Sequence, residues 1–410
     1  MKALIIDPAV HSMGGHHYNS VQRLQDELRK LGVDAPCLGS AYADRRVTEE
    51  LACTPSFSRS VYGRSYATSG EFAESVEETS RQLAQAMRRL RTSPDLIILP
   101  CCDQVLAAAL ARHLRSIRFG PRPQVLLWIL YAPHHLKTTD HPEIGGLIDE
   151  CREAFGALKA STDGKDGLRI FCETSAMAGF YRRLIDLDVG VMPGPGLLAH
   201  ARAKRPPASR PTVSCIGFAN RPKGYRLLPE AVGRVLQKNA DARFMIHGVV
   251  GGSDAEADQP IFDRLAGMGE RVLVRQDVLS PQDYLAWLAQ ADLLLLPYDP
   301  EVYRSRGSGV FSDARAIGIP VVATQGCAFA QPAFDGGWGV AIEAYSGAGL
   351  GAAIESALGR LDELGSRANL AASQAHDELG RVLKAIRDGA GTGKPAGLAG
   401  MIRRWITAGA

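Results

Sequence analysis

Ala291-Asp-Leu-Leu-Leu-Leu-Pro-Tyr298, followed after eight residues by Gly307-Ser-Gly-Val-Phe-Ser-Asp-Ala-Arg-Ala-Ile-Gly-Ile-Pro-Val-Val-Ala-Thr324, is the stretch whose reading decides the fold. Four leucines between Asp292 and Pro297 are apolar toward both faces of any strand they form. That is how a strand covered on both sides of a parallel sheet reads. A Gly-rich turn then opens a helix over Val310 to Ala316, and a further strand covers Val321 to Ala323. The first turn of such a helix carries backbone N–H groups with no intrahelical acceptor, and its dipole favours negative charge. Gly307, Ser308, Gly309 and Val310 therefore form a candidate phosphate cradle. Asp313 follows about one turn later, where a carboxylate could accept hydrogen bonds from ribose or sugar hydroxyls. An ordinary strand–loop–helix with glycines for close packing would read the same way.

The pattern extends in both directions. Downstream of residue 211, strands read over Thr212–Ile216, Arg243–His247, Val272–Arg275 and Asp292–Pro297, with helices over Arg226–Lys238, Pro281–Gln290 and Ala348–Leu358. Upstream, strands read over Ala3–Ile6, Asp95–Leu99, Val125–Leu130, Arg169–Cys172 and Val189–Met192. Helices read over Tyr18–Leu31, Glu71–Arg91 and Gln104–Ile117, and Gly32 stands where a C-cap belongs. Alternating strands and helices predict doubly wound α/β layers. His200 to Pro211 is basic, Pro-rich and without apolar period, so it reads as a linker. The expected organisation is a first domain over 1–199, a linker over 200–211, a second domain over 212–385, and a tail over 386–410. That tail runs through a Gly/Ala-rich segment to a short helix at Met401–Ile406. The fold class is α/β, with two Rossmann-like domains facing each other across a cleft, where ligands of open sheets bind.

Bulk properties agree with 410 residues in two or three globular domains. Apolar residues make up 46% and charged residues 22%, and the net charge of +3 is too small to indicate nucleic acid. The eight cysteines show neither disulfide, zinc nor redox spacing and read as buried thiols in a reducing compartment. No apolar run reaches the roughly 20 residues of a spanning helix, and Met1-Lys-Ala-Leu-Ile-Ile-Asp7 reads as a strand start rather than a leader. The chain is expected to be cytoplasmic. Arginine clusters at Arg88, Arg89 and Arg91 and at Arg112, Arg115 and Arg118 read first as solvated helix faces. Peripheral contact with anionic lipid at the inner membrane face is the alternative.

The Ala291–Thr324 stretch resembles the donor site of GT-B glycosyltransferases, chiefly the large retaining class with a Glu-x7-Glu signature before Gly-x-Pro-Val-Val. Gly318-Ile-Pro-Val-Val322 matches the closing part, and the second acidic position falls on Asp313, which the resemblance assigns to the ribose. The first falls on Ser305, where the family has a sugar-contacting acid. Glu301, or the backbone of Gly307 to Gly309, would take that role. Cys215-Ile-Gly-Phe-Ala-Asn-Arg-Pro-Lys-Gly-Tyr225 is similar to the family's basic segment, which makes Arg221 and Lys223 candidates for gripping a departing diphosphate. Phe244 to Val250, with Gly248, resembles a strand-then-glycine element, and Gln276 to Tyr284 the segment that meets the base.

In the first half, the Gly14–Gly15 loop resembles one that meets donor phosphates and acceptor. His16 and His17 could be acceptor-side contacts, bases or plain helix-start groups. His134 or His135, after the Val125–Leu130 strand, corresponds to a histidine that reaches the donor sugar. The resemblance implies a hexosyltransferase; no metal or cofactor is expected, because arginine, lysine and backbone donors can meet the phosphate charge and no acidic pair reads as a metal-binding Asp-x-Asp. Its donor would be a nucleoside-diphosphate sugar, and its acceptor a glycan, a lipid-linked molecule or a small molecule. Surface polysaccharide or glycoconjugate synthesis is the implied setting. The rival expectations are a non-catalytic nucleotide-binding paralogue and an epimerase of the same fold.

Overall fold

The structure is a computed structural model that describes residues 1–13, 16–60, 68–90, 93–118, 120–131, 144–163, 167–194, 210–239, 241–251, 255–376 and 378–390. The chain divides into two compact units. One comprises Met1–Leu197 with Leu379–Ala410, and the other Leu198–Glu378. The sequence reading placed the ends of the second domain at 212 and 385.

Unit 1 runs β1 (Ala3–Ile6), α1 (His16–Lys30), β2 (Cys37–Ser40), α2 (Arg45–Glu50), β3 (Cys53–Phe57), α3 (Ser69–Arg89), β4 (Leu96–Leu99), α4 (Gln104–Ser116), β5 (Gln124–Ile129), α5 (Ile144–Ala160), β6 (Leu168–Cys172), α6 (Ser175–Ile185) and β7 (Val189–Val191). The strands form one parallel sheet in the order β3-β2-β1-β4-β5-β6-β7. Its apolar runs serve both faces. Leu4, Ile6, Ile97, Leu99, Val125 and Leu127 pack into one buried layer, and Ile5, Leu96, Ile98, Leu126 and Trp128 into the other. Burial on both faces is what the unbroken apolar strands require.

Unit 2 runs β8 (Thr212–Cys215), β9 (Phe218–Ala219), α7 (Leu228–Lys238), β10 (Arg243–His247), β11 (Val249–Val250), α8 (Ala255–Ala266), β12 (Val272–Arg275), α9 (Pro281–Gln290), β13 (Leu293–Leu296), α10 (Pro300–Tyr303), α11 (Gly309–Ile317), β14 (Val321–Thr324), α12 (Gln331–Asp335), β15 (Gly339–Ile342), α13 (Gly347–Leu358) and α14 (Leu361–His376). Its six-stranded parallel sheet has the order β12-β10-β8-β13-β14-β15, and β9 and β11 form a separate short pair. Along β13, Leu293 and Leu295 join the layer with Val232, Leu350 and Ile354. Leu294 and Leu296 join the layer with Trp287, Phe311 and Ile317. The four leucines thus fill two cores at once.

A last helix, α15 (Glu378–Ala390), returns to unit 1, where Leu379, Leu383 and Ile386 enter the Ile5–Trp128 layer. Arg387 extends this contact by donating to the Leu31 carbonyl at 3.4 Å. The sequence reading gave the returning segment to Met401–Ile406, which lies outside the described residues, as do 200–209 of the expected linker. All eight cysteines are buried and free. Of the arginine clusters, Arg112 pairs with Glu77 at 2.7 Å, tying α4 to α3.

Candidate phosphate and nucleotide site

In unit 2 the chain builds outward from β8 through β10 to β12. It then returns to β13 and builds the other way through β14 to β15. The segments leaving β8 and β13 therefore lie at the point where strand order reverses, the place where open α/β sheets hold ligands.

The β8 segment turns at Gly217 (φ +138°), makes one 3-10 turn over Arg221–Lys223 and turns again at Gly224 (φ +71°). A Cβ on Gly224 would stand 1.8 Å from the Pro297 carbonyl oxygen, so only glycine lets this backbone meet the segment after β13. The Asp299 N–H also donates to the Pro222 carbonyl at 2.8 Å. These two contacts lock the segments together.

Lys223 and α11 meet at Gly217. The point where a Gly217 Cβ would stand is 2.9 Å from Lys223 Nζ and 3.9 Å from Val310 Cγ2. Lys223 Nζ also lies 5.7 Å from the centre of the buried Tyr298 ring. Burial is the main cause pulling the Lys223 ammonium down to about 8. Arg306 pushes the same way, and the Cys215 thiol opposes them. Arg221 is exposed on the same turn. Ser308 caps α11, its Oγ accepting from the Phe311 N–H at 3.3 Å. Helix geometry leaves the Gly309 and Val310 amides without intrahelical acceptors at the start of α11. An ammonium, a guanidinium on the same turn and a helix start can together hold a diphosphate.

Asp313 lies one turn into α11. Its Oδ2 accepts from the Tyr284 hydroxyl at 2.8 Å. Burial foremost, and then Asp313, push the Tyr284 hydroxyl well above its usual range, so it remains a donor at neutral pH. Ser305, at the first acidic position of the family pattern, is buried, whereas Glu301 is exposed on α10. Asp299 caps that short helix, its Oδ1 accepting from the Glu301 N–H at 3.0 Å. Gly307, between Ser305 and Ser308, is partly buried.

Gly248 has a packing reason for being glycine. A Cβ there would come within 2.3 Å of Phe262 and 3.0 Å of Tyr225. The preceding His247 is buried, its Nε2 facing the Asp277 carbonyl at 2.8 Å, and its own carbonyl accepts from Tyr225 at 2.8 Å. The sequence reading did not single out His247, Arg306 or the role of Tyr284. Tyr284 does close the Gln276–Tyr284 stretch whose likeness to a base-contacting segment was legible.

In unit 1, His16 and His17 open α1, their rings 4.1 Å apart. His17 Nδ1 faces Asp7 Oδ2 at 2.8 Å and Oδ1 at 3.1 Å. Asp7, immediately after β1, is 1% exposed and also accepts from the Ala9 N–H at 3.0 Å. Desolvation by the surrounding chain, then His17, pull the His16 imidazole down to about 4 against the opposing pull of Asp7, although the residue keeps an exposed face. His16 is therefore neutral at physiological pH. Asp7 escaped the sequence reading; its only signal is an acid at the end of the first strand. Gly14, Gly15, His134 and His135 lie outside the described residues. Among the described residues no cluster of His, Cys, Asp and Glu has the makings of a metal site.

Residues 210–360 match the family model described as Glycosyl transferases group 1, a span that contains the unit 2 segments leaving β8 and β13. No curated protein matches the chain. Among solved structures, sucrose-phosphate synthase from Thermosynechococcus elongatus is similar over 96% of this chain and 100% of its own, with TM-score 0.65 and 13% identity. The HepE protein of Anabaena, in complex with UDP and glucose, is similar over 94% and 98%, with TM-score 0.59 and 14% identity. A Listeria monocytogenes structure described as a candidate UDP-N-acetylglucosamine 2-epimerase is similar over 97% and 98%, with TM-score 0.58 and 13% identity. Such identities show the fold alone: two Rossmann-like units of the GT-B type.

Proposed function

We propose that this chain is a glycosyltransferase that holds a nucleoside-diphosphate sugar on unit 2 and passes the sugar to a glycan, lipid-linked or small-molecule acceptor. The observation that carries the reading is the meeting of Lys223 and the α11 N-terminus at Gly217, at the switch point of the sheet. It supplies cations and amide donors to the leaving diphosphate, where negative charge builds as the glycosidic bond breaks. Asp313, held by Tyr284, accepts from the ribose hydroxyls. Glu301 and the Gly307–Gly309 backbone serve the sugar, because Ser305 is buried and too short to replace an acid there. The family match over residues 210–360 supports the reading, since it covers this same site.

Among the described residues no helix is long and apolar enough to cross a membrane. With a lipid-linked acceptor the chain would work at the cytoplasmic membrane face, in surface polysaccharide or glycoconjugate synthesis.

The test is a thermal-shift series with UDP-, GDP-, ADP- and dTDP-sugars, since a ligand bound only by the folded chain raises its apparent stability. One base should raise the melting temperature well above the other three. Release of that nucleoside diphosphate together with a new glycoside establishes transfer. Binding without turnover returns the non-catalytic reading, and an epimerised donor returns the epimerase. Side chains and backbone amides meet the phosphate charge in this scheme, so chelator should leave transfer intact. Complete loss of activity with chelator refutes that part.

A further inference from the structure

His247 ends β10, the strand beside β8, and the phosphate contacts make no use of it. It is 4% exposed, and its Nε2 faces the Asp277 carbonyl at 2.8 Å, so the ring carries a proton on Nε2. Among the described residues Nδ1 finds no partner, which a neutral ring tolerates better than an imidazolium. Burial foremost pulls the imidazole below its usual range, against the opposing pull of the Asp277 carbonyl. The Trp287 ring meets the imidazole edge to face, centroids 5.8 Å apart, and Trp287 Nε1 donates to Ser214 Oγ at 2.9 Å. The Asp277 carboxylate is held in turn by Arg275, whose Nε and Nη2 donate to it at 2.5 and 2.7 Å. The Asp277 carbonyl and the Val278 N–H belong to one planar trans peptide and point opposite ways. A donor on that carbonyl therefore aims the Val278 N–H away from His247 and polarises it as a donor. Val278 is 76% exposed, and among the described residues its N–H has no backbone acceptor. The turn leads straight into α9. Ser280 caps that helix, its Oγ accepting from the Asp283 N–H at 3.1 Å, and Tyr284, one turn in, donates to Asp313 at 2.8 Å. One turn of helix thus links the exposed amide to the carboxylate that faces the ribose.

We propose that His247 is a positioning residue for nucleobase selection: it holds the Asp277–Val278 peptide so that the Val278 N–H donates to an acceptor atom on the edge of the base. This rests on the donor reading given above. A ribose at Asp313 carries its phosphates on C5′ and its base on C1′, so the two leave the sugar in different directions. Lys223 and the α11 start take the phosphates, and the turn before α9 takes the base. The direction of a fixed N–H decides which base is preferred. A base that turns an acceptor toward it gains a hydrogen bond, and one that turns a donor toward it leaves both groups unpaired. Without His247 the peptide can rotate, and the amide then serves any base about equally.

The full chain is titrated calorimetrically with UDP, GDP, ADP and dTDP, and with inorganic pyrophosphate, which reports the phosphate site alone. The wild-type chain should prefer one base. His247→Met fills the space without a donor. It should weaken the preferred nucleotide by about ten-fold, narrow its lead over the other three, and leave pyrophosphate within about twofold. His247→Gln, whose amide can donate to the same carbonyl, should recover most of the lost affinity. Val278→Pro removes the N–H itself at an exposed position. It should match His247→Met, and the double variant should lose no more than either alone, because both act through one amide. Pyrophosphate weakened as much as the nucleotide, or a base preference unchanged in these variants, overturns the positioning role. If His247→Met does not fold, Val278→Pro decides by the same two readouts. A wild-type chain that binds none of the four nucleotides overturns the donor reading itself, and the base contact falls with it.

Discussion

The segments that leave the first strand of each sheet, β1 in unit 1 and β8 in unit 2, stand at the same topological position and carry opposite chemistry. After β8 come two positive-φ glycines, Arg221 and a lysine under strong desolvation. After β1 comes a buried carboxylate engaged with an imidazole. Both are strand-end segments at a switch point, so the fold alone does not account for the difference. A lysine and a helix N-terminus that both approach one glycine are poised for a polyanion, whereas a carboxylate–imidazole pair is poised for a single proton.

The largest expected effect comes from breaking the unit 2 side at its most constrained point. Gly224→Ala forces a side chain into a left-handed backbone and against the Pro297 carbonyl. Strain of that kind and the overlap together should cost about 3 kcal/mol or more. Denaturant unfolding should show the loss, and donor binding should fall with it. Wild-type stability would mean that the β8 and β13 segments are not locked as described.

Lys223→Ala comes next. Loss of a charge-assisted contact to a phosphate that gains charge should lower turnover by roughly 30-fold, more than it lowers donor affinity. Wild-type turnover removes Lys223 from the phosphate site. The pH dependence sharpens the comparison. In the folded chain the ammonium titrates at about 8 instead of 10.5. Between those values the unfolded chain binds more protons, so stability of the ligand-free protein rises with pH through this window. Below about 8 the full cost of burying the charge remains. Nucleoside diphosphate affinity should run the other way, falling as pH climbs past 8 and the charge is lost. Lys223→Arg, which stays protonated, should abolish that fall. A flat affinity profile for the wild-type chain would show that this ammonium does not hold the phosphates.

The same contrast explains what was legible in the sequence. The unit 2 site is written locally: Gly217, Arg221, Lys223 and Gly224 fall within eight residues, and Ser308 to Asp313 within six. Short-range spacing on a helix start shows without a structure. The Asp7–His17 pair depends on a loop folding one residue back over ten positions, and no periodicity announces it. Strands β2 and β3 escaped for a related reason. Cys37-Leu-Gly-Ser40 and Cys53-Thr-Pro-Ser-Phe57 are short and interrupted by Gly39 and Pro55. Pro55 is tolerated because β3 is the edge strand, a property of the assembled sheet. Gly248 carries a packing requirement that no local motif encodes, since a Cβ there would come within 2.3 Å of Phe262.

The remaining effects are smaller and test the ribose end of unit 2. Asp313→Ala should weaken nucleoside-diphosphate binding by roughly ten-fold, the loss of about one charge-assisted hydrogen bond. Isothermal calorimetry with the preferred nucleotide measures it, and unchanged affinity would separate Asp313 from the ribose. Tyr284→Phe removes only a hydroxyl that donates to this carboxylate from α9 at 2.8 Å. The carboxylate keeps its charge and gains rotational freedom, so affinity should fall only about threefold, a fraction of a hydrogen bond's usual worth. The two changes should not add, because the tyrosine acts through the aspartate: in the double variant, loss of Tyr284 should cost nothing further. Full additivity would mean that Tyr284 meets the nucleotide directly. The ribose end would then hold two independent contacts in place of one oriented carboxylate, and its likeness to the oriented imidazole of unit 1 would fail.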